Sequence, residues 1–361
     1  SKAVVRREVV RLVTPGTLTE DSLLDARRHN YLAAFAEVRG EGALAWADIS
    51  TGEFRVTPCP PVRLSPELAR LAPREVLVSE VKETDLAETV TDIGAALTPL
   101  SRASFDSTSA ERRLTGLYGV GTLDAFGRFG RAEIAAMGAL VDYLDLTQKG
   151  KLPLLRPPVR EAVSRVMQID AATRRNLELT SALSGGREGS LIAAIDRTVT
   201  APGARLLERR LASPSMDLSV IHARHDAVAF LVEQGRLRGD LREALKKVPD
   251  MDRALSRLAL DRAGPRDLAA IRNVLIQAGG IAAGLEEAAA PDLIAEAAVA
   301  LTGHEALLDE LDRALVAEPP LMLRDGGFIA AGYDAELDEA RKLRDEGRGV
   351  IAGMQADYVS D

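Results

Sequence analysis

One change of hydrophobic period divides the chain. Short apolar runs bounded by Gly or Pro dominate its first hundred residues. From Arg131 onward apolar residues recur at three and four positions instead. The two patterns bury different faces, so a single layer type cannot serve both, and the chain is expected to fold as α/β followed by all-α.

In the first part "REVVRLV" (7–13), "YLAAFAEV" (31–38), "ALAWADIS" (43–50), "EFRVTPC" (53–59) and "EVLVSE" (75–80) predict strands, being rich in β-branched and apolar residues. "RGEG" (39–42) and "STG" (50–52) are turns, so the second, third and fourth runs form an antiparallel meander. Helices are expected over 66–71, 83–93 and 107–117, with a last strand near 97–100 completing a mixed sheet. Beyond Arg131, Ile134, Met137, Leu140, Val141 and Leu144 begin a helical series. Ser190, Asp217 and Asp250 are suited to capping later helices. The proline-rich "QKGKLPLLRPP" (148–158) marks the expected boundary, dividing the chain into 1–148 and 149–361 with every strand before the cut.

The bulk numbers exclude several classes. Of the 361 residues, 46% are hydrophobic and 28% charged. No run approaches the roughly 18 apolar residues of a membrane span, and the charged N-terminus lacks a signal-peptide core; the expected compartment is the cytoplasm. A single cysteine, Cys59, forbids an internal disulfide and a multi-cysteine metal site. The net charge of −8 is shared equally by the two parts, so neither is a basic module that would coat DNA.

Chemistry is scarce. "GGREGS" (185–190) has glycines but no phosphate-binding lysine, and "GVGTLDAFG" (119–127) has the wrong spacing for a dinucleotide loop. His222 and His225 have only Asp226 nearby as a third ligand, and His29 and His304 stand alone. The most enzyme-like stretch is "WADISTGEFRV" (46–56), which resembles the first hairpin of ribonuclease H-like folds, where the carboxylate at Asp48 would hold a metal. Asp85, Asp92 and Asp106 are not placed at strand ends to join it. The competing reading is that Asp48 closes the turn onto the amide of Gly52. In "MQIDAATRRNLELT" (167–180), Asp170 is expected to cap a helix through the amide of Thr173 or Ala172, with Leu177 over the same face and Asn176 needing a partner.

"REVVRLVTPGTLTED" (7–21), "WADISTGEF" (46–54), "IDAATRRNLELT" (169–180), "DRTVTAPGARLLERRLASP" (196–214), "LSRLALDRAGPRDL" (255–268) and "LRDGGFIAAGYDAELDE" (323–339) occur in the order found in bacterial MutS proteins. The chain resembles that family of mismatch-recognition proteins over nearly its whole length. The resemblance implies a ribonuclease H-like connector domain without nuclease function over 1–148, and over 149–361 a helical core with the start of a lever arm. It places the mismatch-binding domain before Ser1, and the clamp and ATPase domains after Asp361. No catalytic residue, metal ligand or cofactor is then expected here. ATP and Mg belong to the full-length parent, a DNA-dependent ATPase and homodimer that binds mismatched double-stranded DNA through domains outside this stretch. A MutL-like partner would dock on the connector, and no membrane is involved.

The role so implied is mechanical coupling. Arg174, Arg175, Asn176 and Glu178, and on the next helix Arg205, Arg209 and Arg210, are candidates for a polar joint between connector and core. Near the C-terminus Tyr333, Leu337, Ala340, Arg344, Gly347, Ile351, Met354 and Tyr358 follow heptad spacing, a seam that wants a partner helix. A metal-dependent nuclease using Asp48 and a non-enzymatic interaction scaffold are the alternatives.

Overall fold

A computed structural model describes residues 8–360. The first part contains β1 (Leu32–Val38), β2 (Glu41–Asp48), β3 (Glu53–Pro58), α1 (Pro61–Leu71), β4 (Glu75–Ser79), α2 (Glu83–Thr91), β5 (Ala96–Leu100), α3 (Ser107–Tyr118) and α4 (Arg131–Gln148). A two-residue strand, β6 (Val159–Arg160), follows. The sheet order is β5-β4-β1-β2-β3-β6, antiparallel within β1–β2–β3 and parallel elsewhere.

The strands read as almost continuous apolar runs because both sheet faces are covered. Period-two alternation sends Leu32, Ala34, Ala36, Ala43, Ala45 and Ala47 to one core, where Met137, Leu140 and Leu144 of α4 fill the space above the alanines. The opposite parity, including Ala33, Phe35, Leu44 and Trp46, packs with Leu64 and Leu68 of α1. Helix α3 lies so close to α4 that a Cβ on Gly138 would stand 2.1 Å from that of Ala110; only glycine permits this contact.

Glu75, 1% exposed, anchors the N-terminal segment to this body. Its carboxylate accepts from the Thr14 hydroxyl (2.6 Å), the Gly16 amide (2.9 Å), the Thr98 hydroxyl (2.7 Å) and the Tyr143 hydroxyl (2.7 Å). A buried carboxylate is tolerated when its acceptor sites are filled in this way.

Several expectations need correction. Residues 8–14 form no strand; the amide of Leu12 instead donates to the carbonyl of Thr147 (2.8 Å), tying the run to the end of α4. Helix α1 starts at Pro61, and Pro66 lies inside it, forgoing one backbone bond. A strand does follow Gln148, since β6 pairs with β3.

The second part contains α5 (Ala171–Asn176), α6 (Leu191–Ile195), α7 (Ala201–Ala212), α8 (Leu218–Glu233), α9 (Gly235–Leu245), α10 (Met251–Ala259), α11 (Pro265–Glu286), α12 (Asp292–Ala300), α13 (Glu305–Ala314) and α14 (Ala335–Ser360). Asp170, Ser190, Asp217 and Asp250 all cap through their side chains, Asp170 onto the Thr173 amide at 2.9 Å. Leu177 does not extend the face of α5, which ends at Asn176 and leaves Leu177 53% exposed. Helix α11 is long and apolar enough by length and composition to cross a membrane, yet it packs among α9, α10, α12 and α13. From within it, Arg272 donates to the carbonyls of Leu315, Val316 and Ala317. Tyr333 precedes α14 and donates its hydroxyl to Glu310 (2.5 Å); Leu337 is half-buried and Ile351 is 59% exposed. The side chains of Met354 and Tyr358 lie outside the described residues.

Candidate functional site at the junction of sheet and helices

Helix α7 is built to face the sheet. Thr200 caps it by accepting from the Gly203 amide (3.1 Å), and Pro202 sits in its first turn. Arg205, Glu208, Arg209 and Ala212 then follow at helical spacing along one stripe. Arg205, 2% exposed, makes a two-pronged pair with Asp250 (2.7 and 3.0 Å) and donates to the carbonyl of Ala26 (2.9 Å). Glu208 accepts from Arg28 (3.1 Å), and Arg209 donates to Glu53 (2.7 Å).

Below Glu53 lies a buried polar group at the end of β2. Asp48, wholly buried, accepts from His29 Nδ1 (2.9 Å), the Asn30 amide (3.2 Å), the Ser50 amide (3.0 Å) and the Ser50 hydroxyl (2.6 Å). The His29 ring stacks on Tyr31 at 4.7 Å, and its Nε2 stands 3.5 Å from Glu53. Tyr31 donates its hydroxyl to Glu53 (3.1 Å). Burial works to raise the Asp48 carboxyl, but the bonds from His29, Ser50 and Asn30 prevail and hold it below its ordinary value. Glu53 behaves likewise: burial opposes and His29, Arg209 and Arg55 outweigh it. The Tyr31 phenol is pushed well up, by burial first and then by Glu53 and Asp48.

A second row of contacts comes from α10 and its following turn. Arg253, 3% exposed, donates to the carbonyl of Asp25 (2.8 Å), and the Ser256 hydroxyl donates to the carbonyl of Ile49. Arg257 bridges Asp21 (2.7 Å) and Asp267 (2.5 Å). Arg262 reaches Thr19 (3.0 Å) and Gln148 (2.6 Å). Arginine suits such a seam because its planar fork satisfies carboxylates and carbonyls together.

Among the anticipated residues, Arg205 and Arg209 lie in this junction. Arg174 is buried where α5 meets α1; burial and then the neighbouring Arg70 push its pKa down. Arg175 and Asn176 are exposed, and Glu178 accepts from the Leu183 amide (2.6 Å) within its own loop. Arg210 faces Arg224 and Arg209; burial and these two cations lower its pKa. Sequence reasoning missed Arg28, Glu53, Arg253, Ser256 and Arg257. His29 does not stand alone, because the β2–β3 hairpin brings Asp48 and Glu53 to its two ring nitrogens. The Asp48 turn closes through its carbonyl, which accepts from the Gly52 amide (2.8 Å). Its carboxylate is engaged by internal donors, and among the described residues no group of three or more His, Cys, Asp or Glu is placed to hold a metal. Cys59 is buried, its thiol pushed up to about 12 chiefly by burial, which makes it inert at neutral pH.

The junction should be acid-labile. Asp48 and Glu53 have folded pKa values below their ordinary 3.8 and 4.5, so their contribution is complete above those values and is lost as the pH falls through the lowered ones. Stability measured by urea titration at successive pH values should be level from pH 7 to about 5 and fall steeply below about 4. In Glu53→Gln the fall should be shallower. An identical acid limb in that variant would contradict this account.

Residues 30–156 match MutS domain II, and residues 172–355 match MutS domain III. Over 359 residues, 99% of this chain, the sequence is 72% identical to the DNA mismatch repair protein MutS of Cereibacter sphaeroides. The protein of the same name from Paracoccus denitrificans is 69% identical over 363 residues and 100% of the chain, and that of Ruegeria pomeroyi is 67% identical over 360 residues and 99%. The chain spans 40%, 41% and 41% of the length of these three relatives.

Proposed function

Because the chain belongs to the MutS family, we propose that it couples mismatched-DNA engagement to ATP turnover, both carried out by other parts of a longer protein. Residues 1–148 act as the connector, and residues 149–361 as the helical core with the root of a lever arm. The observation carrying this reading is the α7 stripe. Arg205 and Arg209 fasten the helical part to Ala26 and Glu53 of the sheet part through directional side-chain bonds. Coupling needs elements with discrete packed arrangements rather than a soft continuum.

The chain itself is not the enzyme. ATP and Mg are bound elsewhere in the parent, which is cytoplasmic and acts as a homodimer, and the connector offers the contact for a MutL-like protein. Helix α14, about 39 Å long at the usual helical rise, starts the lever; a returning helix covers the Leu337–Ile351 side.

The test uses the full-length parent. Arg209→Glu should leave mismatch affinity and basal ATP turnover near wild type and reduce the mismatch-dependent change in turnover several-fold. Adding Glu53→Arg should restore part of it by re-forming the pair with reversed charge. A response to mismatch unaltered by the single charge reversal would end the proposal.

A further inference from the structure

A cavity of about 230 Å³ lies where the end of α1, the outer sheet face and α7 meet. Tyr31 and Trp46 line it from the sheet, and Thr180, Ser181 and Ser213 add hydroxyls. Arg28, Arg55, Arg70, Arg74 and Arg209 also line it, against Glu161 and Glu208.

Both carboxylates are already engaged. Glu161 stands 2.8 Å from Arg70 and 3.8 Å from Arg55, and Glu208 stands 3.1 Å from Arg28 and 3.6 Å from Arg187. Donors remain in excess. Arg70, with a side chain 7% exposed and its guanidinium 5.4 Å from the Trp46 ring centre, is bonded through Nε and Nη1 but has no partner for the buried Nη2. Arg174, near Arg70 but outside the cavity lining, adds positive charge behind it. Arg74 is exposed, and its side chain makes no hydrogen bond or ion pair among the described residues. Buried donors without acceptors are rare, and guanidinium groups lack acceptor atoms with which to satisfy one another.

We propose that this cavity is a binding site for a small phosphate-class oxyanion, either free phosphate or the phosphate of a mononucleotide. Several guanidinium and hydroxyl donors converging from three elements suit a tetrahedral anion better than a planar carboxylate. The volume admits phosphate with room for part of an attached group. Since Arg28, Arg209 and Glu208 hold α7 to the sheet, an anion here would add a contact across the junction.

Isothermal titration calorimetry of the 361-residue chain at fixed ionic strength tests this, with inorganic phosphate, AMP and adenosine as separate titrants. Phosphate and AMP should bind saturably, and adenosine should not. Arg74→Ala, at an exposed position, should keep the wild-type melting temperature and weaken both anions about tenfold by removing one charge-assisted contact. Arg175→Ala, exposed and away from the cavity, should bind like wild type. Heats without saturation for both phosphate and AMP, adenosine binding as tightly as AMP, or unchanged affinity in Arg74→Ala would each overturn the proposal. Binding of AMP alone would identify a mononucleotide rather than free phosphate as the occupant.

Discussion

Arg205→Ala should destabilise the chain by about 3 kcal/mol or more, the range expected when one partner of a buried ion pair is removed. The loss leaves Asp250 without its two-pronged partner and the carbonyl of Ala26 without its donor. The effect should also be uneven. Trp46, the one tryptophan, is buried in the sheet part, whereas far-ultraviolet circular dichroism is dominated by the helices. In urea the two signals should coincide for the wild type and separate for the variant, the helical signal falling first. Coincident transitions with a shift below about 1 kcal/mol would mean that Arg205 carries no more than an exposed pair does.

Glu75→Ala should cost about 3 kcal/mol or more, for a different reason. Removing the carboxylate strands four donors, each unsatisfied buried polar group costing about 1–3 kcal/mol where it cannot turn to another acceptor. The Gly16 amide and the Tyr143 hydroxyl have least freedom to turn. Tyr143 is held as the neutral donor, burial pushing its phenol up to about 12. Hydrogen exchange should show lost protection at Gly16 ahead of the central strands. Glu75→Gln keeps the shape but points an NH₂ at donors, so it should lie between wild type and alanine. Each carboxylate oxygen accepts from two of the donors, so a Gln variant as stable as wild type would show that two of the four are dispensable.

The strands that form the sheet interior were legible because their alternation is strong and turn residues stand at their borders. The 8–14 run misled for the converse reason: Val9, Val10 and Val13 have strand character, but β propensity reports fit to a neighbour, and no strand lies beside them. Two residues of β6 are too few for any period to register. At the junction, Arg205 and Arg209 were visible as cations on a capped helix. Arg253 and Arg257 were not, because charges on an amphipathic helix such as α10 ordinarily denote a solvated face. His29 looked solitary because its partners, Asp48 and Glu53, are 19 and 24 positions away and reach it only once β2 and β3 have paired.

The path from sheet to helices has a mechanical consequence. The prolines of 148–158 suggest a swivel, but the chain is stitched down beyond them. Arg156 donates its amide to Gly52, β6 joins β3, Glu161 bonds to Val56, and Met167 and Met216 bond to Pro214 and Arg165. Turning one part against the other through a large angle would therefore break backbone bonds in succession. The proline-rich segment is thus a pinned crossing and not a free hinge: its two ends are fixed by backbone bonds to the sheet on one side and to the helices on the other.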